Sequence, residues 1–141
     1  MLRNIQLNEM HLIKDDPVRP HIPAAWRVRK GKEVFVLENE QTKNIDAVVC
    51  VIYMDEVPTS EQDLSWPGID IAVFYTVWSY SKGSGRDIIF AAQKHIHKKN
   101  ANIKRFVTLS PLTDMATEFH LRNGAKLIGR HETCQNFEYQ I

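Results

Sequence analysis

Ser110 and His120 are the two side chains most able to act together on a substrate. Ser110 closes the run Phe106-Val107-Thr108-Leu109, an apolar, partly β-branched stretch of strand type. Pro111 lacks the N–H that a ladder needs, which predicts Ser110 at the strand's C-terminal lip. His120 follows on a predicted helix over 113–124, with Thr113 or Asp114 as cap and Gly124 as a left-handed stop. A hydroxyl donor at a strand end and an imidazole on the next helix suit proton transfer near neutral pH. Each also has a plain structural reading. Ser110 can cap the helix, and a buried His120 can bond a backbone carbonyl.

A second constellation lies upstream, in Ser81-Lys82-Gly83-Ser84-Gly85-Arg86. It sits between a strand-like run and a helix predicted over 87–99. Glycines let a ligand approach the backbone, and the first-turn N–H groups of a helix have no internal partner. Such a turn can hold an anion, and Lys82 and Arg86 add positive charge. A lone GxG is also often only a turn.

The elements that must position these residues are legible from periodicity. Leu112, Met115, Ala116 and Phe119 recur at helical spacing, which predicts that this face turns to the core. Ile89, Ala92 and Ile96 form the stripe of the earlier helix, and Lys98 and Lys99 lie where its dipole favours cations. Residues 33–38 and 45–53 read as an antiparallel hairpin across a polar turn. Residues 69–78 read as a third strand, preceded by a loop with one helical turn near 60–64. Residues 125–131 and 135–140 read as closing strands. One parallel step through a crossover helix within an otherwise antiparallel sheet makes the fold class α+β with a mixed sheet. Residues 1–31 are broken by Pro17, Pro20 and Pro23 and read as an irregular lead-in over the sheet, with Trp26 filling a gap.

The chain's 141 residues suffice for one domain with one core. Lys and Arg total 18 against 17 Asp and Glu, so no overall field favours nucleic acid or an anionic membrane as partner. Cys50 lies in an apolar run and Cys134 far from it, a spacing that suggests neither a zinc site nor a disulfide scaffold. His95 and His97 point apart on a helix, so no metal is expected there. Asp55, Glu56 and Asp70 are weaker candidates for an acetyltransferase base. Met1 to Gln6 lacks the apolar region of a signal peptide and no run has transmembrane length, so a cytoplasmic protein is expected. Oligomeric state is not legible.

This order of elements resembles the GNAT acyltransferase superfamily, in which a strand, a glycine turn and a helix hold the coenzyme A diphosphate. The family's Arg/Gln-x-x-Gly-x-Gly/Ala is matched by Gly83 and Gly85, with Tyr80 at the Arg/Gln position. Phe119 to Ala125 is similar to its Phe-Tyr-x-x-x-Gly-Phe, with His120 where acetyltransferases keep a tyrosine acid. The malonyl-CoA decarboxylase catalytic domain, itself of GNAT fold, is resembled in more places. Phe74-Tyr75-Thr76-Val77 is similar to its Phe-Tyr-Ser-Ile, and Phe106 to Pro111 to its Phe-x-x-Leu-Ser-Pro. Phe119 to Ala125 is similar to its Phe-His-Leu-x-Asn-Gly-Ala, and Asn136 to Tyr139 to its Asn-Tyr-x-Tyr. The resemblance implies a GNAT-like three-layer fold, with an acyl-CoA thioester as substrate and Ser110 and His120 as catalytic pair. It also implies that Ser81, Lys82, Gly83, Ser84, Gly85 and Arg86 bind the coenzyme. Decarboxylation of a malonyl thioester needs no metal, since the thioester carbonyl accepts the electrons. The long insertion those enzymes carry between the two motifs is not present, and the glycine turn is one residue tighter. Acyl transfer from CoA to an amine, or acyl-CoA binding without catalysis, are the other expectations.

Overall fold

The computed structural model describes residues 1–140. Leu2–Asn4 (β1) lies antiparallel on Lys32–Glu38 (β2), which pairs with Ile45–Met54 (β3), itself antiparallel to Ile71–Ser79 (β4). These runs are rich in Val, Ile and aromatic residues, and both of their faces are covered. The register of β3 on β4 slips once. Cys50 faces Thr76 and Val51 faces Phe74, so Tyr75 is an extra residue, a β-bulge.

Ser84–Lys99 (α2) then crosses back over the sheet, and β4 pairs in parallel with Arg105–Thr108 (β5). The expected parallel step between two otherwise antiparallel regions is present. Helix α2 begins three residues before its expected start at Asp87, because Gly83, at φ +84°, makes the turn and Gly85 already lies inside the first helical turn. Ile88, Ile89, Ala92 and Ile96 bury its apolar stripe on Phe35, Val49, Val51 and Phe74. Each isoleucine buried there contributes roughly 1.5–3 kcal/mol.

The pairing of β4 with β5 covers only the first part of β4 and ends as the Leu109 N–H reaches the Phe74 carbonyl at 3.1 Å. Beyond it the two strands separate. Ser110 and Pro111 resume the line of β5 as a short strand, β6, on Cys134–Tyr139 (β8). The register of β5 and β6 on β8 is continuous. Ser110 is therefore not a strand exit as expected, but lies in a strand that breaks at Leu109. Pro111 is tolerated because it contributes a carbonyl, which accepts from Gln135 Nε2 at 2.9 Å. Lys126–Arg130 (β7) pairs with the other edge of β8.

Asp114–Arg122 (α3) links β6 to β7. Its cap is Thr113, whose hydroxyl accepts from the Ala116 N–H at 3.2 Å, and Gly124, at φ +93°, ends it as expected. Its apolar face meets the core only through Phe119. Met115 is 82% exposed and Leu112 37%, and the one fully buried side chain of the helix is His120. Helical period fixes which residues share a face, and here that face borders an open cleft.

After β1, which edges the sheet, the lead-in covers the sheet's other side with a 3-10 stretch at Leu7–Asp15 and one short helical turn, Ala24–Arg27 (α1). Trp26 stands edge-on to Tyr75, their ring centres 6.0 Å apart. The loop turn expected near 60–64 is the 3-10 stretch Glu61–Ser65. Helix α2, the sheet and the lead-in make three layers. Cys50 is a buried free thiol, pushed up to about 11 by loss of water, as its apolar neighbours suggested.

Candidate functional site: a cleft between two separating strands

The separation of β4 from β5 and β6 opens a cleft of about 900 Å³. Phe74 to Ser79 form one wall, and Leu109, Ser110 and Pro111 the other. Helix α3 adds Met115, Phe119, His120 and Arg122, while α2 reaches it through Gly85. Ser110 and His120, ten residues apart in sequence, thus line one cavity.

Ser110 is buried, and its hydroxyl lies 2.8 Å from that of Thr108. Thr108 Oγ1 in turn accepts the Phe137 N–H at 3.0 Å. With Thr108 as donor, the Ser110 proton is free for the cleft. The helix-cap reading of Ser110 fails, since Thr113 has that place.

His120 is enclosed by the rings of Phe119, Phe137 and Tyr139. Its Nδ1 lies 2.7 Å from the Tyr139 hydroxyl rather than from a backbone carbonyl. Burial lowers its pKa to about 4, so at neutral pH the ring carries no charge. The proton-carrying role expected near neutral pH therefore cannot start from a resting imidazolium. Burial likewise pushes the Tyr139 phenol up to about 12, so it is a protonated donor. With Tyr139 donating to Nδ1, the remaining ring proton sits on Nε2. That atom has no chain partner and is not sealed from solvent. Tyr139 closes the Asn136–Tyr139 motif, but spacing alone does not pair it with His120.

The glycine turn stands at the α2 end of the cleft. The Ser84 N–H donates to the Ser81 carbonyl and the Asp87 N–H to the Gly83 carbonyl. Among the described residues, the N–H groups of Gly85 and Arg86 have no such partner. The hydroxyls of Ser81 and Ser84 bond each other. Only Gly85 of the six turn residues borders the cleft. Lys82 is exposed, and the Arg86 guanidinium lies over the Phe90 ring, 5.3 Å from its centre. An added Cβ at Gly85 would lie 3.4 Å from the Phe119 ring, so the turn and α3 are in contact. Free N–H donors with two flanking cations suit a diphosphate. Tyr80, at the position where an Arg or Gln was expected, donates to Asp15 at 2.8 Å.

No local pattern marks the residues that hold the β4 wall. Asp16 and Arg27 form a buried ion pair at 2.7 Å. Asp16 Oδ1 also accepts the N–H groups of Val18 and Arg19 and the Thr76 hydroxyl. Arg19 donates to the carbonyl of the bulged Tyr75 and to Glu61. Among the described residues no group of three or more His, Cys, Asp or Glu is placed to hold a metal ion. No described helix is long and apolar enough to cross a membrane.

No family model matches the chain, and no curated protein matches it by sequence. Solved structures do. Malonyl-CoA decarboxylase from Agrobacterium vitis superposes on all of this chain with a TM-score of 0.82 at 17% identity. The chain spans 60% of that enzyme's length. A variant of spermidine N-acetyltransferase from Vibrio cholerae gives a TM-score of 0.68 at 14% identity, covering 99% of this chain and 92% of that one. A putative phosphinothricin N-acetyltransferase gives 0.66 at 13% identity, covering 100% and 98%. With its mixed sheet, its bulged fourth strand and the cleft where that strand leaves the fifth, the chain has the GNAT fold.

Proposed function

We propose that the chain binds an acyl-CoA thioester in this cleft and releases CO2 from a malonyl group. The observation that carries the reading is that Ser110 and His120 line one cavity, which also reaches the glycine turn through Gly85. The turn from Ser81 to Arg86 takes the diphosphate on its free N–H groups, with Lys82 and Arg86 at its sides. The pantetheine arm runs between β4 and β6. The bond between the carboxylate and the α-carbon breaks, CO2 leaves, and the electron pair becomes an enolate on the thioester oxygen. The Ser110 hydroxyl, oriented by Thr108, donates to that oxygen. The α-carbon then takes the Nε2 proton of His120 while Tyr139 passes its own to Nδ1. An enolate carbon is far more basic than a phenolate, so this relay runs downhill without a charged imidazole. Solvent restores the phenol.

A second reading rests on the same fold, which the two N-acetyltransferases share, and on His120, which stands where the acetyltransferase pattern keeps its tyrosine acid. In it the same slot delivers the acyl group to an amine.

The test is incubation with malonyl-CoA, with and without amines, read by mass spectrometry of the thioester. Conversion to acetyl-CoA without an amine is expected, and Ser110→Ala and His120→Ala each lose roughly 10²-fold or more in turnover. The double variant loses little beyond the worse single one. Equal rates in wild type and Ser110→Ala end the decarboxylase reading. Turnover only with an amine establishes the transferase, and CoA binding without turnover a binding module.

A further inference from the structure

The relay asks the Tyr139 phenol to part with its proton inside an apolar shell. Tyr139 is buried, and Phe90 stands edge-on to its ring with centres 5.9 Å apart. The His120 ring, 5.7 Å away, is itself covered by Phe119 and Phe137. A phenolate formed there is a charge taken out of water, which is costly unless hydrogen bonds reach it. Once Nδ1 of His120 holds the proton it is one donor to the oxygen, and the oxygen has room for a second.

A second donor is in place. Asn123 is buried at the C-terminal end of α3, three residues after His120 and so on the same side of the helix. Its Nδ2 group has no hydrogen-bond partner among the described residues, although a buried unpaired donor costs stability. Nor does the helix end need this side chain. The Asn123 backbone N–H bonds the Phe119 carbonyl at 3.2 Å, its φ is an ordinary −83°, and the left-handed turn falls on Gly124. Burial pushes the Tyr139 phenol up, and the Asn123 amide works against that by favouring the ionised oxygen. The amide thus stands beside the phenol oxygen and is unused while the phenol keeps its proton.

We infer that Asn123 is the positioning residue of the relay, a donor held in reserve for the Tyr139 oxygen. This rests on the decarboxylase reading above and adds the group that steadies its proton step. As the Nε2 proton goes to the α-carbon, the Tyr139 O–H bond breaks and its proton joins Nδ1. The oxygen left with the negative charge accepts from Nδ1–H and from Asn123 Nδ2–H, and no proton leaves the amide. A solvent proton then restores the phenol.

The experiment places difluorotyrosine at position 139 of the full chain, a phenol acidic enough to ionise while the protein stays folded. Fluorine NMR follows its ionisation with Asn123 intact, in Asn123→Leu and in Asn123→Met. Thermal melts accompany each, and either variant suffices where the other does not fold. Deleting the donor is expected to lower the ionisation constant by about fivefold or more. In the unlabelled chain, Asn123→Leu slows malonyl-CoA turnover by about fivefold or more at unchanged CoA affinity, but by less than about twofold in the Tyr139→Phe background. An ionisation constant unmoved in the folded variants overturns the inference. So does a rate loss as large in the Tyr139→Phe background as in the wild type. A constant that falls in a chain without malonyl-CoA turnover supports Asn123 as the donor and overturns the decarboxylase reading alone.

Discussion

His120 is neutral in the folded chain because rings enclose it, and this has a consequence for stability. Its pKa is about 4 when folded and 6.5 when free. Between those values the unfolded chain takes up a proton that the folded chain refuses. Stability from this group is therefore complete above pH 6.5 and is lost as pH falls toward 4, by up to about 3 kcal/mol. Urea unfolding at pH 7 and pH 4.5 should show this loss, and His120→Gln should reduce the difference between the two. Turnover should show no decline between pH 6 and 8 from loss of an imidazolium. The partner of His120 gives a second prediction. Tyr139→Phe keeps the ring and deletes the proton donor, so turnover should fall tenfold or more while CoA affinity is unchanged. Rate and calorimetry on the same preparation separate the two.

At the level of elements, the turn between β4 and α2 has two glycines with different tasks. Gly83 is at φ +84° with open space around it, so any side chain there meets only backbone strain. Gly83→Val should cost about 1–2 kcal/mol of stability. Gly85 has no such strain, but its missing side chain faces Phe119. Gly85→Ala should fold normally, and Gly85→Val should weaken CoA binding by tenfold or more, roughly 1.4 kcal/mol. The order and type of these elements were legible, because β-branched runs and helical stripes are local properties. What each stripe faces was not. The spacing of Leu112, Met115, Ala116 and Phe119 marks one side of α3, but only the divergence of β4 from β6 decides that this side borders a cavity. The break at Leu109 was equally hidden, since it depends on the register with β8. The motifs single out Ser110 and His120, and the fold brings both to one cavity. Their neighbours Thr108 and Tyr139 touch them through contacts that no local pattern encodes.

Across the whole molecule, the lead-in is held by an Asp16–Arg27 pair that closes within it and by reaches from Asp16 to Thr76 and from Arg19 to Glu61 and the Tyr75 carbonyl, contacts that follow no local period. Asp16→Ala strands the buried Arg27 guanidinium and should destabilise by about 3–5 kcal/mol, read by chemical denaturation. Stability is accordingly uneven. Helix α2 is anchored by four fully buried apolar side chains, whereas α3 has a lighter hold: its cap, buried His120, half-buried Phe119 and the bond from Gln135 Nε2 to the Thr117 hydroxyl. Helix α3 is thus a separate unit of local opening. Its amides should exchange with deuterium well before those of α2, faster at pH 4 than chemistry alone dictates, once His120 is driven to protonate. A thioester bound against Met115 and Phe119 would close that opening, so protection of α3 reports occupancy of the cleft even where no reaction occurs.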